Sequence, residues 1–437
     1  WILSLVSLAA YVLTKVSVTV YAGALVFKTL LPETFGSPEN AFWVGAVATV
    51  ILTGLYTVAG GLRAVLYTDS IQAIILLIGS AAITWIGLDL LGGWSELQSF
   101  ASKNVVDYAL WRPLSDPDFP WLGILIASPI VGIWYWCTDQ YIVQRTLAAK
   151  DLRTARRGAL LGALLKVSPV IIFLIPGLIG AALHQKGLLM IPSDGSGGFV
   201  GDQVFPTMVT SLLPTGLRGL VVAGLLAALM SSLSSLFNSI ATLFTVDVYE
   251  KIHPGASEQK LVTVGRLATG VVIILGLLWI PIMPAISKGG LYQYLQNVQG
   301  YLAPPITAVF LLGLFNQRIN SRGATWGLSL GFILGMAKLV LQGIFGAGKI
   351  ESPAFLAAIA DFNFLYFSGV LFLISVTTII VASYTSAAPR IEQLKGLTYA
   401  MMDRKAVRDS WDKREVIATV FILGLVVAIY SYFSFWI

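Results

Sequence analysis

Long apolar runs, separated by short polar segments, follow one another from one end of the chain to the other. A helix needs about 20 apolar residues to cross roughly 30 Å of hydrocarbon, and only helices or closed barrels satisfy their backbone hydrogen bonds there. Runs such as VVIILGLLWI are continuous rather than alternating, which argues against barrel strands. The pattern predicts an all-α, polytopic membrane protein. Its eleven helices lie near 1–30, 42–60, 68–91, 121–143, 157–183, 216–246, 261–281, 291–315, 324–345, 362–384 and 416–437.

The charged residues are too few to cover a water-exposed surface. Of 437 residues, 57% are hydrophobic and 11% are charged, and the mean hydropathy is +0.82. A soluble domain contains roughly 25% charged residues, and no polar stretch here is long enough to form one. The lipid bilayer must therefore be the solvent for most of the chain.

Lysine and arginine are concentrated in alternate loops. One set of loops contains Arg63, five basic residues within 145–157, and seven between Arg390 and Arg414. Because basic loops stay in the cytoplasm, we predict that this set is cytoplasmic, in a plasma membrane or in the inner membrane of a bacterium. The same bias explains the net charge of +6 without a nucleic-acid partner.

Charged residues also occur inside predicted helices. A charge at mid-bilayer costs roughly 2.5 to 3.5 kcal/mol, so by default it marks a transport pathway or a site. The alternative is snorkelling at a helix end or structural ion pairing, which applies above all to Asp69 and Lys338. The five residues concerned are Lys15, Asp69, Asp139, Lys166 and Lys338.

Hydroxyl side chains are unusually dense in the predicted helix 216–246. Steps of three and four residues bring several of their oxygens to one face of the helix. Neutral oxygens suit a weakly bound, hard monovalent cation such as sodium, whereas small residues also serve close helix packing in any membrane bundle. The polar residues are Ser231, Ser232, Ser234, Ser235, Asn238, Ser239, Thr242 and Thr245.

The segment SPIVGIWYWCTDQYIVQR, residues 128–145, combines helix breakers with aromatic and polar side chains. We expect Pro129 and Gly132 to interrupt the helix, as in transporter helices that line a cavity. Aromatic faces with a polar edge suit a pyranose ring, although an interfacial aromatic belt would have a similar composition. The segment presents Trp134, Tyr135, Trp136, Asp139 and Gln140.

Amide side chains mark a second candidate binding segment, LYQYLQNVQGYLAPP, which ends at two prolines. From inside a helix bundle, amides can form hydrogen bonds with sugar hydroxyls. The side chains are those of Gln293, Gln296, Asn297 and Gln299.

These segments carry a resemblance to a known family. The chain resembles the sodium/glucose cotransporter branch of the solute:sodium symporter family over nearly its whole length. The sequence from Tyr135 to Gln140, followed by Gln144 and Arg145, is typical of the sugar and inositol group. The matching segments are YVLTKVSVTVYAGA, GLYTVAGGLRAVLYTDSIQ, IWYWCTDQYIVQRTLAAK, LMSSLSSLFNSIATLFTVDVYEK and QGYLAPPITAVFLLGLF.

The resemblance implies a LeuT-type bundle of two inverted five-helix repeats. Residues 1–315 would form the end of the first repeat and the second repeat, and 316–437 would add C-terminal helices with a basic cytoplasmic loop near 386–415. Trp1 then falls in the third helix of the first repeat. We therefore expect the chain to lack the preceding helices, which complete the sodium and sugar sites in the family.

The resemblance also assigns residues of the substrate site. Gln296 and Lys166 would contact the substrate, Trp136 and Tyr292 would form apolar walls, and Tyr135 would be the inner gate. Three further positions match residues near the sugar pathway, namely Asp139, Gln140 and Lys15.

Two sodium sites follow from the same correspondence, with sodium as the coupling ion and no other cofactor. The main site would use the Ala228 carbonyl with Ser231 and Ser232. A second site, present in some members, matches Asp69, Ser234 and Ser235.

The implied function is sodium-coupled symport of a hexose, such as glucose or galactose, into the cell by alternating access. A symporter for an inositol, nucleoside, carboxylate or vitamin is an alternative, as is a channel or a non-transporting solute sensor. An enzyme is not expected, because the two histidines, His184 and His253, lie in predicted loops away from any nucleophile or metal-ligand cluster.

Overall fold

The structure is a computed structural model that describes residues 1–31, 34–193, 198–286, 290–346 and 353–437, without the side chains at 56, 58–69, 285, 404, 406 and 409. Within these residues the architecture is helical, and ten stretches are long and apolar enough to cross a membrane. The main helices are α1 (Ile2–Leu30), α2 (Pro38–Leu91), α3 (Trp121–Thr138), α4 (Leu152–Gln185), α5 (Thr215–Ile252), α6 (Glu258–Ile282), α7 (Gly290–Phe315), α8 (Ser321–Phe345), α9 (Phe364–Tyr384) and α10 (Lys413–Ser434).

Shorter helices connect or flank these ten. They are Trp94–Lys103, Val105–Tyr108, Gln140–Leu147, Val204–Leu212, Met283–Ile286, Ala354–Asp361, Ile391–Leu394 and Arg404–Asp409.

The prediction of two separate helices at 42–60 and 68–91 is wrong, because both lie in the single 54-residue helix α2. The Ser37 hydroxyl caps its start by accepting a hydrogen bond from the Asn40 N–H at 3.1 Å, and Gly92 ends it with φ 102°. The segment between the two runs, residues 61–67, contains one charged residue and no proline. Glycine costs a helix only about 1 kcal/mol, so Gly60 and Gly61 do not end it.

Helix α3 is broken at Asp139 rather than at the expected Pro129 and Gly132. Pro129 lies inside the helix, which ends in a π-helical turn over Trp134–Thr138. Asp139 then has extended backbone angles, φ −79° and ψ 119°, and its carboxylate caps the next helix by accepting from the Tyr141 N–H at 3.1 Å. The break therefore lies where a side chain can cap the new helix.

The interior is packed around helices α1, α5 and α7. Tyr11, Phe237 and Tyr301 lie in one continuous apolar cluster that joins these helices. Glycines allow neighbouring helices to approach closely, as in many membrane bundles; a Cβ atom at Gly335 of α8 would overlap the Tyr301 carbonyl oxygen. This packing holds the polar faces of α1, α5 and α7 beside the cavity described next.

Candidate functional site

A cavity of about 520 Å³ lies between helices α1, α3, α4, α5 and α7. Its volume is within the usual range for small-molecule sites, roughly 300 to 1,000 Å³. Its lining combines apolar side chains with Thr14, Lys15, Thr19, Ser128, Tyr135, Trp136, Tyr141, Lys166, Ser232, Tyr292, Gln296 and Gln299. The cavity can therefore offer both apolar surface and hydrogen-bonding groups to a polar solute.

The tertiary structure brings six of the eight predicted substrate residues to this cavity. They come from four different helices: Lys15 from α1, Tyr135 and Trp136 from α3, Lys166 from α4, and Tyr292 and Gln296 from α7. Their convergence requires the bundle, because α1 and α7 are separated by most of the chain. The other two predicted residues, Asp139 and Gln140, do not line the cavity.

Aromatic rings form one side of the cavity. The rings of Tyr135 and Trp136 meet edge to face with centroids 5.1 Å apart, and the Lys166 ammonium lies 5.5 Å from the Trp136 ring centroid. Trp136 is 48% exposed and Tyr292 is 63% exposed. These rings thus retain free faces on which an apolar ring surface can stack, with a cation beside them.

Asp139 lies behind the cavity wall and is the counter-charge of Lys15. The two side chains form a buried ion pair, and the Tyr11 hydroxyl donates to the second carboxylate oxygen at 2.6 Å. The Lys15 ammonium also lies 4.1 Å from the Tyr141 ring centroid. Of the alternatives that the sequence left open for Lys15 and Asp139, structural ion pairing is therefore the one that the structure shows.

The hydroxyl-rich face of α5 reaches the cavity at Ser232. Its hydroxyl donates to the Ala228 carbonyl at 3.0 Å, so these two predicted sodium ligands are neighbours. Ser231 is buried one residue earlier. Neither Ala228 nor Ser231 belongs to the cavity lining. The predicted main sodium ligands therefore lie at its edge.

The predicted second sodium site is only partly described. Ser234 accepts a hydrogen bond from the Thr57 hydroxyl at 2.7 Å, and the Ser235 hydroxyl accepts one from the Arg145 guanidinium. The side chain of Asp69, the third predicted ligand, lies outside the described residues. A cation on Ser235 would therefore have to replace or share the Arg145 contact.

Two residues at the site have no individual role in the sequence-based prediction. Gln144 and Arg145 enter it only as part of the motif typical of the sugar and inositol group, and Arg145 also as part of a basic loop. In the structure, Gln144 donates to the Ser235 carbonyl at 3.1 Å. Both lie on the short helix Gln140–Leu147, which Asp139 starts. Their positions, one turn or more after Asp139, are the feature of the sequence that could have drawn attention to them. That feature does not show that their side chains contact α5.

The described residues contain no group of three or more His, Cys, Asp or Glu side chains that would suit a metal ion. The oxygen atoms near the cavity are mainly hydroxyl, amide and carbonyl oxygens. Neutral oxygens of this kind can ligate a hard cation.

Comparison with known proteins identifies the relatives of this chain. Residues 1–331 match the model of the sodium:solute symporter family. The chain is 36% identical to the sodium/glucose cotransporter 1 of Oryctolagus cuniculus over 94% of this chain and 65% of that protein. It is 38% identical to the sodium/myo-inositol cotransporter 2 of Mus musculus over 91% of this chain and 61% of that protein. The chain thus spans less than two thirds of the length of these two relatives.

A solved structure also matches the fold. It is the substrate-bound outward-open state of a sodium-coupled sialic acid symporter, which aligns with a TM-score of 0.67 and 22% sequence identity. The alignment covers 89% of this chain and 76% of that one. It confirms the predicted LeuT-type helix bundle.

Proposed function

Because the chain belongs to the sodium:solute symporter family, we propose that it carries a hexose, such as glucose or galactose, into the cell together with sodium. The observation that supports this proposal most is the cavity on which Trp136, Lys166, Tyr292 and Gln296 converge from three helices. A site for a free cation alone would not need two open aromatic faces. A purely apolar solute would not need the ammonium and the amide.

Each of these side chains has a distinct role in the proposal. Gln296 and Lys166 form hydrogen bonds with the sugar hydroxyls, and Trp136 and Tyr292 pack against the apolar faces of the ring. Tyr135 is the inner gate. Lys15 and Asp139, with Gln140 beside them, shape the wall as a paired unit, because an unpaired buried charge would be costly there.

The coupling ion is sodium at the face of α5. The Ala228 carbonyl and the Ser232 hydroxyl are 3.0 Å apart, which suits two adjacent ligands of one cation, and Ser231 lies next to them. Ser232 keeps oxygen lone pairs for a cation even while its hydrogen is donated to Ala228. Asp69, Ser234 and Ser235 are the proposed second site.

Two ions supply enough energy for concentrative uptake. Each charge that crosses 100 mV releases roughly 2.3 kcal/mol, so two ions support about a thousandfold sugar gradient from voltage alone, whereas one supports tens-fold. Sodium binding favours the outward-open state and organises the sugar site. Because coupling between two ligands is reciprocal, sugar binding in turn strengthens sodium binding. Alternating access then releases both on the cytoplasmic side, which we assign to the basic loops of a plasma or bacterial inner membrane.

The test is uptake of radiolabelled solute by vesicles that contain the full-length protein. We expect accumulation of a hexose in sodium medium and not in potassium or choline medium. The panel includes myo-inositol, because the chain is 38% identical to a sodium/myo-inositol cotransporter. If sodium drives uptake of myo-inositol but of no hexose, the proposed substrate becomes a cyclic polyol instead of a hexose. Equal uptake in all three media, or binding without uptake, would overturn the symport.

Sodium stoichiometry has a separate test. With two sites, initial uptake rises with sodium with a Hill coefficient above one, and Asp69→Ala lowers it to about one. Asp89→Ala, near the C-terminal end of the same helix α2, is the control and should leave the coefficient unchanged. A coefficient of one before and after Asp69→Ala would restrict coupling to a single ion.

A further inference from the structure

A second cavity, of about 330 Å³, lies on the outside of the described bundle between α4 and α10. Both helices begin at the basic loops and run in the same direction from there. The cavity is lined at that end by Arg157 and Arg414. It shares no lining residue with the central cavity, although Leu164 of its wall and Lys166 of the central cavity both lie on α4.

The polar end of this cavity is a built structure rather than a loose cluster of surface charges. The Glu415 carboxylate, buried in α10, pairs with Arg156 at 2.8 Å and with Arg157 at 3.2 Å. The Arg156 guanidinium also lies 4.2 Å from the Trp411 ring centroid. These contacts hold the start of α10 at a defined distance from α4, which keeps the cavity open between them.

Positive charge exceeds negative charge at this end. Three carboxylates, Asp151, Asp412 and Glu415, interact with the cationic side chains at this end. These cations are Lys150, Arg153, Arg156, Arg157 and Arg414, which leaves a surplus of two positive charges. The backbone N–H of Arg414 and the nearby guanidinium groups hold the pKa of Asp412 below its usual value. The Arg157 side chain is 52% exposed despite its ion pairs, so an anion from outside can reach it.

The remainder of the cavity is apolar. Leu160, Leu161 and Leu164 recur at the spacing of one helix face on α4 and oppose Phe421 and Ile422 on α10. From Arg157 to Leu164 the helix rises about 10 Å, so the apolar walls extend from the basic end into the hydrocarbon region. Leu161 and Phe421 are 59% and 60% exposed.

We propose that this groove binds one anionic phospholipid of the leaflet that faces the basic loops, such as a phosphatidylglycerol or phosphatidylserine. Arg157 and Arg414 bind the phosphate, because guanidinium groups match phosphate oxygens, and one acyl chain lies between the leucines and Phe421. Basic pockets between membrane helices bind lipid headgroups in this way. A soluble phosphate would leave the apolar walls unused, and a zwitterionic lipid would not compensate the surplus charge.

The test uses native mass spectrometry of the full-length protein in neutral detergent to measure how much lipid the protein retains. Dioleoyl phosphatidylglycerol and dioleoyl phosphatidylcholine are added in separate titrations and compared. We expect saturable binding of one phosphatidylglycerol and weaker binding of phosphatidylcholine. Arg414→Gln should weaken phosphatidylglycerol binding about fivefold. Lys413→Gln, an adjacent cation outside the groove lining, is the matched control and should change it by less than about twofold.

A second pair of variants tests the apolar walls. Phe421→Ala should weaken lipid binding by a fewfold, whereas Val420→Ala, its exposed neighbour outside the lining, should not. Equal effects of Arg414→Gln and Lys413→Gln would indicate diffuse surface charge and overturn the site. The site would also be overturned if Phe421→Ala left lipid binding unchanged or if phosphatidylcholine bound equally well. Competition by soluble glycerol phosphate at the same concentration, or a co-purified peptide in the groove, would overturn it too. Melting temperatures without added lipid identify any variant that fails to fold.

Discussion

The Lys15 ammonium and the Asp139 carboxylate form an ion pair between residues 124 positions apart in the chain, and both side chains are buried. Each partner has further support. Tyr11 donates to the carboxylate at 2.6 Å, and the ammonium lies 4.8 Å from the Tyr135 ring centroid. The pair therefore joins α1 to the break after α3 and fixes the aromatic wall of the central cavity.

Removal of one charge of this pair should destabilise the protein strongly. Asp139→Asn leaves the Lys15 ammonium buried without its counter-charge, which typically costs 3 to about 5 kcal/mol, and Lys15→Met together with Asp139→Asn should recover part of the loss. The measurement is the melting temperature in detergent. Glu96→Gln is the control, because its pair with Lys186 is 42 to 50% exposed and exposed pairs contribute at most about 1 kcal/mol. Similar shifts for Asp139→Asn and Glu96→Gln would show that the buried pair is not structural.

Loss of the polar substrate ligands should separate sugar binding from sodium binding. Gln296→Ala and Lys166→Ala each remove a hydrogen bond to the sugar, which corresponds to roughly tenfold weaker binding, while the sodium ligands on α5 are unchanged. Equilibrium binding of labelled sugar and sodium titration of tryptophan fluorescence measure the two effects. Gln293→Ala, on the same helix but outside the cavity lining, should leave the sugar affinity unchanged. Equal losses of sugar and sodium affinity would indicate a structural role for Gln296 and Lys166.

The hydroxyl of Ser232 should matter for sodium more than other hydroxyls of the same helix. Ser232→Ala removes one proposed ion ligand and should raise the half-saturating sodium concentration about tenfold. Ser239 lies two turns further along α5 and donates to the carbonyl of Ser235 at 3.0 Å, so Ser239→Ala is the matched control. For both variants, the half-saturating sodium concentration is measured from the uptake rate at a fixed sugar concentration. If the Ser239 variant shifts it as much as the Ser232 variant, the α5 hydroxyls serve helix packing.

Lys338 should be important for stability and not for transport. Its ammonium donates to the carbonyls of Ile359, Ala360 and Phe362 at 2.6 to 2.9 Å, which fixes the end of the short helix Ala354–Asp361. Lys338→Met keeps the side-chain length and loses these bonds. The melting temperature should fall, because three carbonyls lose their charged donor, while the sugar and sodium affinities stay the same. An unchanged melting temperature would contradict this assignment.

Much of the architecture could be predicted from the sequence, because membrane insertion depends on the summed hydropathy of about 20 consecutive residues, a local property. The apolar runs therefore identify the helices, and the local density of hydroxyls on α5 identifies its polar face. Local signals are weaker at boundaries. The proline at 129 predicted a break that the structure places at Asp139, and two apolar runs proved to be one helix, α2.

The resemblance to a family assigned roles to individual cavity residues. Which other side chains contact those residues depends on how the helices pack. Nothing in the sequence around Arg145 indicates that its guanidinium contacts Ser235, and nothing around Lys338 indicates three carbonyl partners. The apolar runs show only that these polar groups must be satisfied inside the bundle, because water is excluded there. Which partner satisfies each of them is decided by how helices far apart in the chain pack together, and that information exists only in the tertiary structure.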